Sequence, residues 1–294
     1  MKHFGGQSMT ADLKRVVVCT PAAAGWGDAT RADGWKSLGY FHRPELSVAD
    51  TQHRRLIDAL GRSGVEIISL PEGEGLHLDA VYTHDASLVT DYGAICLQMG
   101  KAGRAGEPGR HAELYRSLDI PILGIMEPPA TAEAGDIVWL DETTLLVGRG
   151  YRTNDAGIET LREWLGPKGV EVIAAPLPYG PGPSACLHLM SLMSLLDDRT
   201  ILVDLSWLSV PTVELLQERR FRLIEIVTSE RDTMACNVLA LGSNRLLALE
   251  ENTETNARLR EHGFQVETFP SSEICQNGSG GPTCLTRPIL RGGG

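Results

Sequence analysis

Three six-residue segments, SGVEII at 63–68, KGVEVI at 168–173 and HGFQVE at 262–267, carry one pattern: glycine second, then an apolar, a polar and an apolar residue. Ahead of each lies a stretch with helical spacing. In 49–60 Leu56, Ile57 and Leu60 share a face, in 155–165 Ile158, Leu161 and Leu165 do, and the third stretch is 253–262. A glycine after a helix takes the left-handed conformation that ends it, and the alternation beyond makes a strand with one buried face. A chain that repeats this device must be assembled from copies of one helix-to-strand unit, and that limits its architecture more than any composition does.

The unit is cleanest at 234–267. Met234–Leu241 reads as a strand, GSN at 242–244 as a turn, Arg245–Leu249 as a second strand, 253–262 as a helix and 264–267 as a third strand. A second copy runs through DIVWL, DETT and LLVG (136–148), the helix at 155–165 and the strand at 170–173. A third starts at Asp79, with strands in 80–90 and 94–99, a helix at 110–118 and a strand at 120–123. A fourth begins near His188, with ILVDL at 201–205, a helix opened by Pro211 and a strand at 221–226. The first strand (15–19), the helix at 49–60 and the strand at 65–68 supply the fifth, and the segment after Gln265 must return to close it. Five ββαβ units predict a closed, five-fold pseudo-symmetric α/β propeller, in one domain spanning 1–294, because a closed ring limits exposed strand edges. A doubly wound sheet is the alternative. The hairpins argue against it, as does the lack of a GxGxxG or Walker loop; GKAGRAG at 100–106 has no GK[ST] ending and reads as a flexible substrate loop.

With 42% hydrophobic and 22% charged residues and no apolar run of membrane-spanning length, the chain reads as soluble globular material. The absence of a long apolar run in the first ten residues points to the cytoplasm. A net charge of −11 disfavours nucleic acid and membrane surfaces as partners and favours a small molecule. The six cysteines show no CxxC spacing, so neither a zinc site nor a disulfide framework is expected; Cys19, Cys96, Cys186 and Cys236 read as buried apolar residues.

Four places break the apolar strand pattern: Asp79 to Asp85 with His84, Glu133 to Asp136 (EAGD), His188 within LHLM, and GSGGPTC ending at Cys284. A lone histidine in an apolar run is more often a hydrogen-bonded core residue, and a lone carboxylate at a strand start more often a cap. Cys284 is harder to dismiss, because glycines beside it let backbone approach a ligand. A thiol, an imidazole and a carboxylate together are a candidate nucleophile, acid/base and orienting group.

EAGD, GRGYRTN (148–154), LHLM (187–190) and GGPTCLTRPI (280–289), in that order on a five-unit ring, resemble the guanidino-modifying superfamily, the penteins. It includes dimethylarginine dimethylaminohydrolase, arginine deiminase and the amidinotransferases. The resemblance implies Cys284 as nucleophile, His188 as general acid/base and Glu133 as the carboxylate that holds it. It further implies Asp79 and Asp85 at the guanidinium, and Arg104 and Arg152 at the substrate α-carboxylate. The implied reaction is cysteine-dependent hydrolysis of a guanidino C–N bond through a covalent thiouronium, with N-methylated arginine giving citrulline and an alkylamine, and with no metal or organic cofactor. Arginine deimination is the runner-up; deiminases usually carry HLD where this chain has Met190. Amidino transfer uses nearly the same residues, and non-enzymatic penteins that bind a ribosomal subunit are the alternative of another class. His84 stands where the hydrolases often have glutamate, and the resemblance is compatible with a homodimer. The segment between Pro21 and Leu46 is expected to cover the pocket mouth.

Overall fold

The computed structural model describes residues 2–292. Its fifteen strands form five separate three-stranded sheets, ordered β15-β1-β2, β3-β4-β5, β6-β7-β8, β9-β10-β11 and β12-β13-β14. These are β1 (Leu13–Val18), β2 (Glu66–Ser69), β3 (Ser87–Thr90), β4 (Gly93–Cys96), β5 (Ile122–Ile125), β6 (Ile137–Asp141), β7 (Thr144–Arg149) and β8 (Glu171–Pro176). The remainder are β9 (Met193–Asp197), β10 (Thr200–Val203), β11 (Arg222–Glu225), β12 (Leu239–Gly242), β13 (Arg245–Leu249), β14 (Gln265–Phe269) and β15 (Arg287–Arg291). In every sheet the middle strand runs antiparallel to one neighbour and parallel to the other, and a helix makes the parallel crossover. The five-fold α/β propeller expected from the repeat is the observed fold, and the first sheet is completed by the last strand of the chain.

The helices are α1 (Ala29–Ala32), α2 (Trp35–Leu38), α3 (Leu46–Arg62), α4 (Glu107–Ser117), α5 (Asp155–Leu165), α6 (Val210–Glu218) and α7 (Thr253–Glu261). The three repeat glycines adopt the left-handed conformation the pattern demands, Gly64 at φ 78°, Gly169 at 82° and Gly263 at 91°. The other two units place Asp119 (φ 55°) and Arg220 (φ 62°) there, so the backbone turn is common to all five while the glycine is not. That is why the sequence pattern is visible three times and the fold repeats five times.

First and middle strands such as β3, β4 and β10 are buried throughout, whereas β2, β5 and β11 are partly exposed. Apolar helix faces cover the outside of the ring: Leu56 and Leu60 of α3, Ile158, Leu161 and Leu165 of α5, and Leu259 of α7 are buried. The departures from the expected elements lie where the site is. The strand anticipated from residue 80 begins only at Ser87, and Leu78–Val81 form a 3-10 turn. The strand anticipated from Met234 begins at Leu239, with Met234 in the left-handed region at φ 59°.

Two helical glycines separate propensity from packing. A Cβ at Gly157 of α5 would collide with the Thr131 carbonyl oxygen, whereas one at Gly109 of α4 would meet nothing within 4 Å. Gly109→Ala is expected to raise stability by about 0.5–1 kcal/mol. Gly157→Ala should lower it by about 1–3 kcal/mol, because a rigid carbonyl cannot give way. Urea midpoints of the two variants check both signs.

Candidate active site

Each residue of EAGD has a distinct task. Glu133 is fully buried, and its Oε2 lies 2.8 Å from Nε2 of His188. Its Oε1 accepts the Lys101 backbone N–H at 3.0 Å. A Cβ on Gly135 would collide with the imidazole of His188, so the close approach of that ring requires glycine. The Gly135 N–H donates to Asp85 Oδ1 at 3.1 Å. Asp136 accepts the Leu189 N–H at 2.9 Å with one oxygen and the Thr153 hydroxyl at 2.7 Å with the other. It thereby anchors the residues following His188 and Arg152.

This environment sets the protonation of the pair. Burial disfavours the His188 imidazolium, but the Cys186 sulfur and the carboxylates of Asp85 and Asp136 outweigh it and raise the pKa well above its ordinary value. Burial likewise works against the Glu133 carboxylate, and the hydrogen bond and charge of His188 hold its pKa low. With Nε2 committed to Glu133, Nδ1 of His188 is left facing the Cys186 sulfur.

Cys284 sits in the turn before β15, partly exposed and lining the same cavities as His188. The glycines ahead of it are required by close approach. Cβ atoms at Gly278 and Gly280 would run into Tyr82, and one at Gly281 into Asn237. Asn237 Nδ2 donates to Cys284 Sγ at 3.3 Å while its Oδ1 accepts the Thr283 N–H at 3.1 Å. Burial, with Asp85 and Cys186 adding to it, pushes the thiol up to about 12; His188 and Asn237 pull the other way. Asn237 was not singled out from sequence; its only signal was one polar side chain inside MACNVLALG.

Asp79 and Asp85 are both buried beside these groups. Lys101 Nζ donates to Asp79 Oδ2 and to the Leu38 carbonyl, both at 2.5 Å. Asp85 Oδ2 accepts from Arg104 Nη1 at 2.5 Å, and despite burial Arg104 and His188 hold its carboxyl well below the usual range. The two arginines expected at a carboxylate differ. Arg104 is committed within the protein, since Nε and Nη2 fork onto Glu107 at 2.8 and 2.7 Å and Nη2 also donates to the Tyr82 carbonyl at 2.8 Å. Arg152 makes only long contacts, 3.4 Å to Glu133 Oε1 and 3.5 Å to the Ala185 carbonyl, and it lines the cavity. The GKAGRAG segment is folded, with a 3-10 turn at Ala102–Arg104 leading into α4. His84 is 2% exposed; its Nδ1 donates to the Thr286 carbonyl at 2.9 Å, and Nε2 faces Arg287 Nη2 at 2.6 Å. Burial and Arg287 push its pKa down to about 3, so it is neutral. Cys186, expected in the core, is exposed, with Sγ 3.8 Å from Nδ1 of His188.

A cavity of about 460 Å³ gathers Asp79, Asp85, Lys101, Arg152, His188 and Cys284. The segment before α3 lines it through Leu38, Gly39 and Phe41, and is pinned by the Phe41 N–H on the Asn277 carbonyl at 3.1 Å. Asp85, Glu133 and His188 each bring one potential metal-ligand atom within 4.8 Å of the others. Those donors are already engaged by Arg104, the Gly135 N–H and one another, so the arrangement is that of an ion-pair network. Among the described residues no helix is long and apolar enough to cross a membrane.

Comparison with known proteins agrees with this geometry. The family described as "Arginine deiminase" matches residues 78–212 and 208–291. The N(G),N(G)-dimethylarginine dimethylaminohydrolase of Streptomyces coelicolor is 28% identical over 230 residues, 78% of this chain and 81% of its own. An arginine deiminase of Listeria innocua is 25% identical, covering 78% of this chain and 70% of its own. Among solved structures, the dimethylarginine dimethylaminohydrolase of Pseudomonas aeruginosa complexed with citrulline superposes with a TM-score of 0.78 at 25% identity, over 95% of this chain and 100% of that one. With the family match spanning most of the chain and the ring shared with a solved relative, this protein belongs to the arginine deiminase family of amidinohydrolases, within the pentein superfamily.

Proposed function

We propose that the protein hydrolyses the guanidino C–N bond of an N-substituted arginine, with methylated arginine giving citrulline and an alkylamine. The observation that carries this reading is the convergence, on one cavity, of the Cys284 thiol, the Glu133-held His188 and the carboxylates of Asp79 and Asp85. A guanidinium is a cation that water attacks slowly; buried carboxylates are suited to hold it, and its charge favours the thiolate of a neighbouring cysteine. Cys284 Sγ adds to the guanidinium carbon, and His188 delivers a proton from Nδ1 to the departing nitrogen as the C–N bond breaks. Water then adds to the thiouronium carbon, giving a proton back to His188, and the S–C bond breaks to release a ureido product. Arg152 is the fork for the α-carboxylate, and Arg104 acts through Asp85, which it orients. Met190, 4% exposed and lining a cavity at His188, puts a thioether where an acceptor for an unsubstituted guanidinium would otherwise serve. That favours an N-alkyl group over a bare N–H, since an unpaired buried donor costs about 1–3 kcal/mol.

Cys284→Ser is expected to abolish turnover while the fold persists, and acid-quenched wild-type enzyme should carry a substrate-derived mass on the peptide containing Cys284. Normal turnover by the serine variant, or an adduct confined to Cys186, overturns the assignment.

The high pKa of the free thiol has a pH consequence. Alkylation of Cys284 by a neutral haloacetamide should climb about tenfold per pH unit from neutrality toward alkaline pH, because only the thiolate reacts. The rising limb of kcat against pH reports ionisation of the thiol with the cation bound, and should level off about two or more units lower. Coincident pKa values in the two titrations would remove the substrate cation from the activation of Cys284.

The two arginines separate in different observables. Arg152→Ala should raise KM for arginine substrates by tenfold or more while leaving agmatine, which lacks a carboxylate, little changed, in the range of about 1.5–3 kcal/mol for a charge-assisted hydrogen bond. Arg104→Ala leaves Asp85 and Glu107 buried without their cation and should lower stability by about 3–5 kcal/mol. A Tm unchanged in Arg104→Ala would show that it is not a buried support.

A further inference from the structure

The cavity that holds the charged groups is not the only space reaching the catalytic pair. A second one, of about 200 Å³, shares Cys186, His188 and Cys284 with it and extends to the other side. Its character is different. Its walls are mostly apolar, with Leu187, Met190, Leu192, Trp207 and Met234; Asp204, Arg231 and Asp232 also line it, while Asp79, Asp85, Lys101 and Arg152 lie on the first side. The apolar wall is a built one. A Cβ at Gly180 would meet Leu187 at 2.9 Å and Trp207 at 3.0 Å, so the two side chains close together over that glycine. The Trp207 ring is backed by the Arg231 guanidinium at 5.7 Å, which is itself paired with both oxygens of the buried Asp204. Met234 enters the wall from a left-handed backbone position at φ 59°, a conformation that persists in a residue with a side chain only where its surroundings impose it.

Reaction geometry gives this space a role. The reacting carbon must touch Cys284 Sγ, and the departing nitrogen must face Nδ1 of His188, since Nε2 is held by Glu133. The amino-acid end of the substrate is directed to the charged side, where Arg152 stands. Whatever the departing nitrogen carries is then directed past His188 into the apolar side. A molecule of water occupies about 30 Å³ in the liquid, so this cavity has room for several carbon-sized groups, more than the two methyls of a dimethylamine. Methyl groups alone would leave apolar wall uncovered.

We propose that the Trp207–Met234 cavity is a subsite for the substituent on the departing nitrogen, and that it selects arginines whose guanidino nitrogen carries an apolar group larger than methyl. The inference rests on the hydrolase reading above and narrows its substrate class. The amine released is a primary or secondary alkyl- or arylalkylamine, with His188 supplying its proton and water supplying the oxygen of the ureido product.

The test is the full chain assayed with arginine and its Nω-methyl, Nω-propyl and Nω-benzyl derivatives, following ureido product and amine. Wild-type kcat/KM should hold level or rise from methyl to propyl. Met234→Trp, which fills the cavity, should cut the propyl and benzyl values about tenfold or more, the range for misfitting a hydrophobic pocket, while arginine stays within about twofold. Met234→Ala, which enlarges the cavity, should raise the benzyl value relative to methyl and supplies the same comparison if the tryptophan variant does not fold. A tenfold fall from methyl to propyl in the wild type, or Met234 variants that change all four substrates in parallel, overturns the subsite and leaves the hydrolase reading standing. No turnover of any of the four, with no adduct on Cys284, overturns both.

Discussion

The active site depends on a buried chain of charge, from Glu107 through Arg104 to Asp85, with His188 and Glu133 beside it. These ionisable side chains are all nearly inaccessible to solvent, Glu133 and Glu107 at 0% and 1% and Arg104 and His188 at 4% and 3%. Taking charges out of water is costly, and they persist only when each meets a partner of opposite sign at hydrogen-bond distance. Each here does. Arg104 and His188 keep Asp85 ionised, burial pushes Glu107 up to about 7 against the pull of Arg104, and Nε2 of His188 is held by Glu133. The burial that makes the network sensitive to truncation also gives it electrostatic strength, because a low-dielectric surrounding amplifies each interaction with a bound cation.

The propeller makes such a network feasible. Its units deliver loops from different parts of the chain to one place: Asp79 and Asp85 come before β3, Glu133 before β6, His188 before β9, Asn237 before β12 and Cys284 before β15. Each of these six residues lies in the segment leading into the first strand of a sheet, about two to eight positions ahead of it. The repeat therefore explains the site as well as the fold. The segments that enter the first strands converge, and different side chains on them bring together a thiol, an imidazole, the carboxylate bonded to it and two further acids. Gly135 and the glycines at 278–281 mark where those loops crowd one another, since side chains there would strike His188, Tyr82 or Asn237.

Comparison of the two arginines, and of the cysteines, marks the boundary of what patterns can reveal. Arg104 and Arg152 look equivalent in a sequence, each a basic residue among small ones. Only the fold turns one inward onto Glu107 and Asp85 and leaves the other with weak partners at the cavity. Cys186 reads as a core residue beside leucine, yet it lies exposed next to the His188 ring. Asn237 was only a polar residue in an apolar run and Lys101 one residue of a glycine-rich segment; their importance comes from a sulfur and a carboxylate elsewhere in the chain.

The sequence alone determined the unit, its approximate boundaries and its number, because the helix-to-strand turn and the alternation of buried residues are short-range properties written in consecutive residues. It also exposed the polar residues that break those patterns, since an ionisable side chain in an apolar run needs a reason to be there. The tertiary structure alone decided which strand positions were given up to carry Asp79 and Met234 into the site, which arginine is free and where the apolar space beyond His188 lies. Those are consequences of packing five units against one another. Contacts between residues about 20 to 200 positions apart, such as Thr153 with Asp136 or His84 with Thr286, depend on ring closure, and no local spacing encodes it.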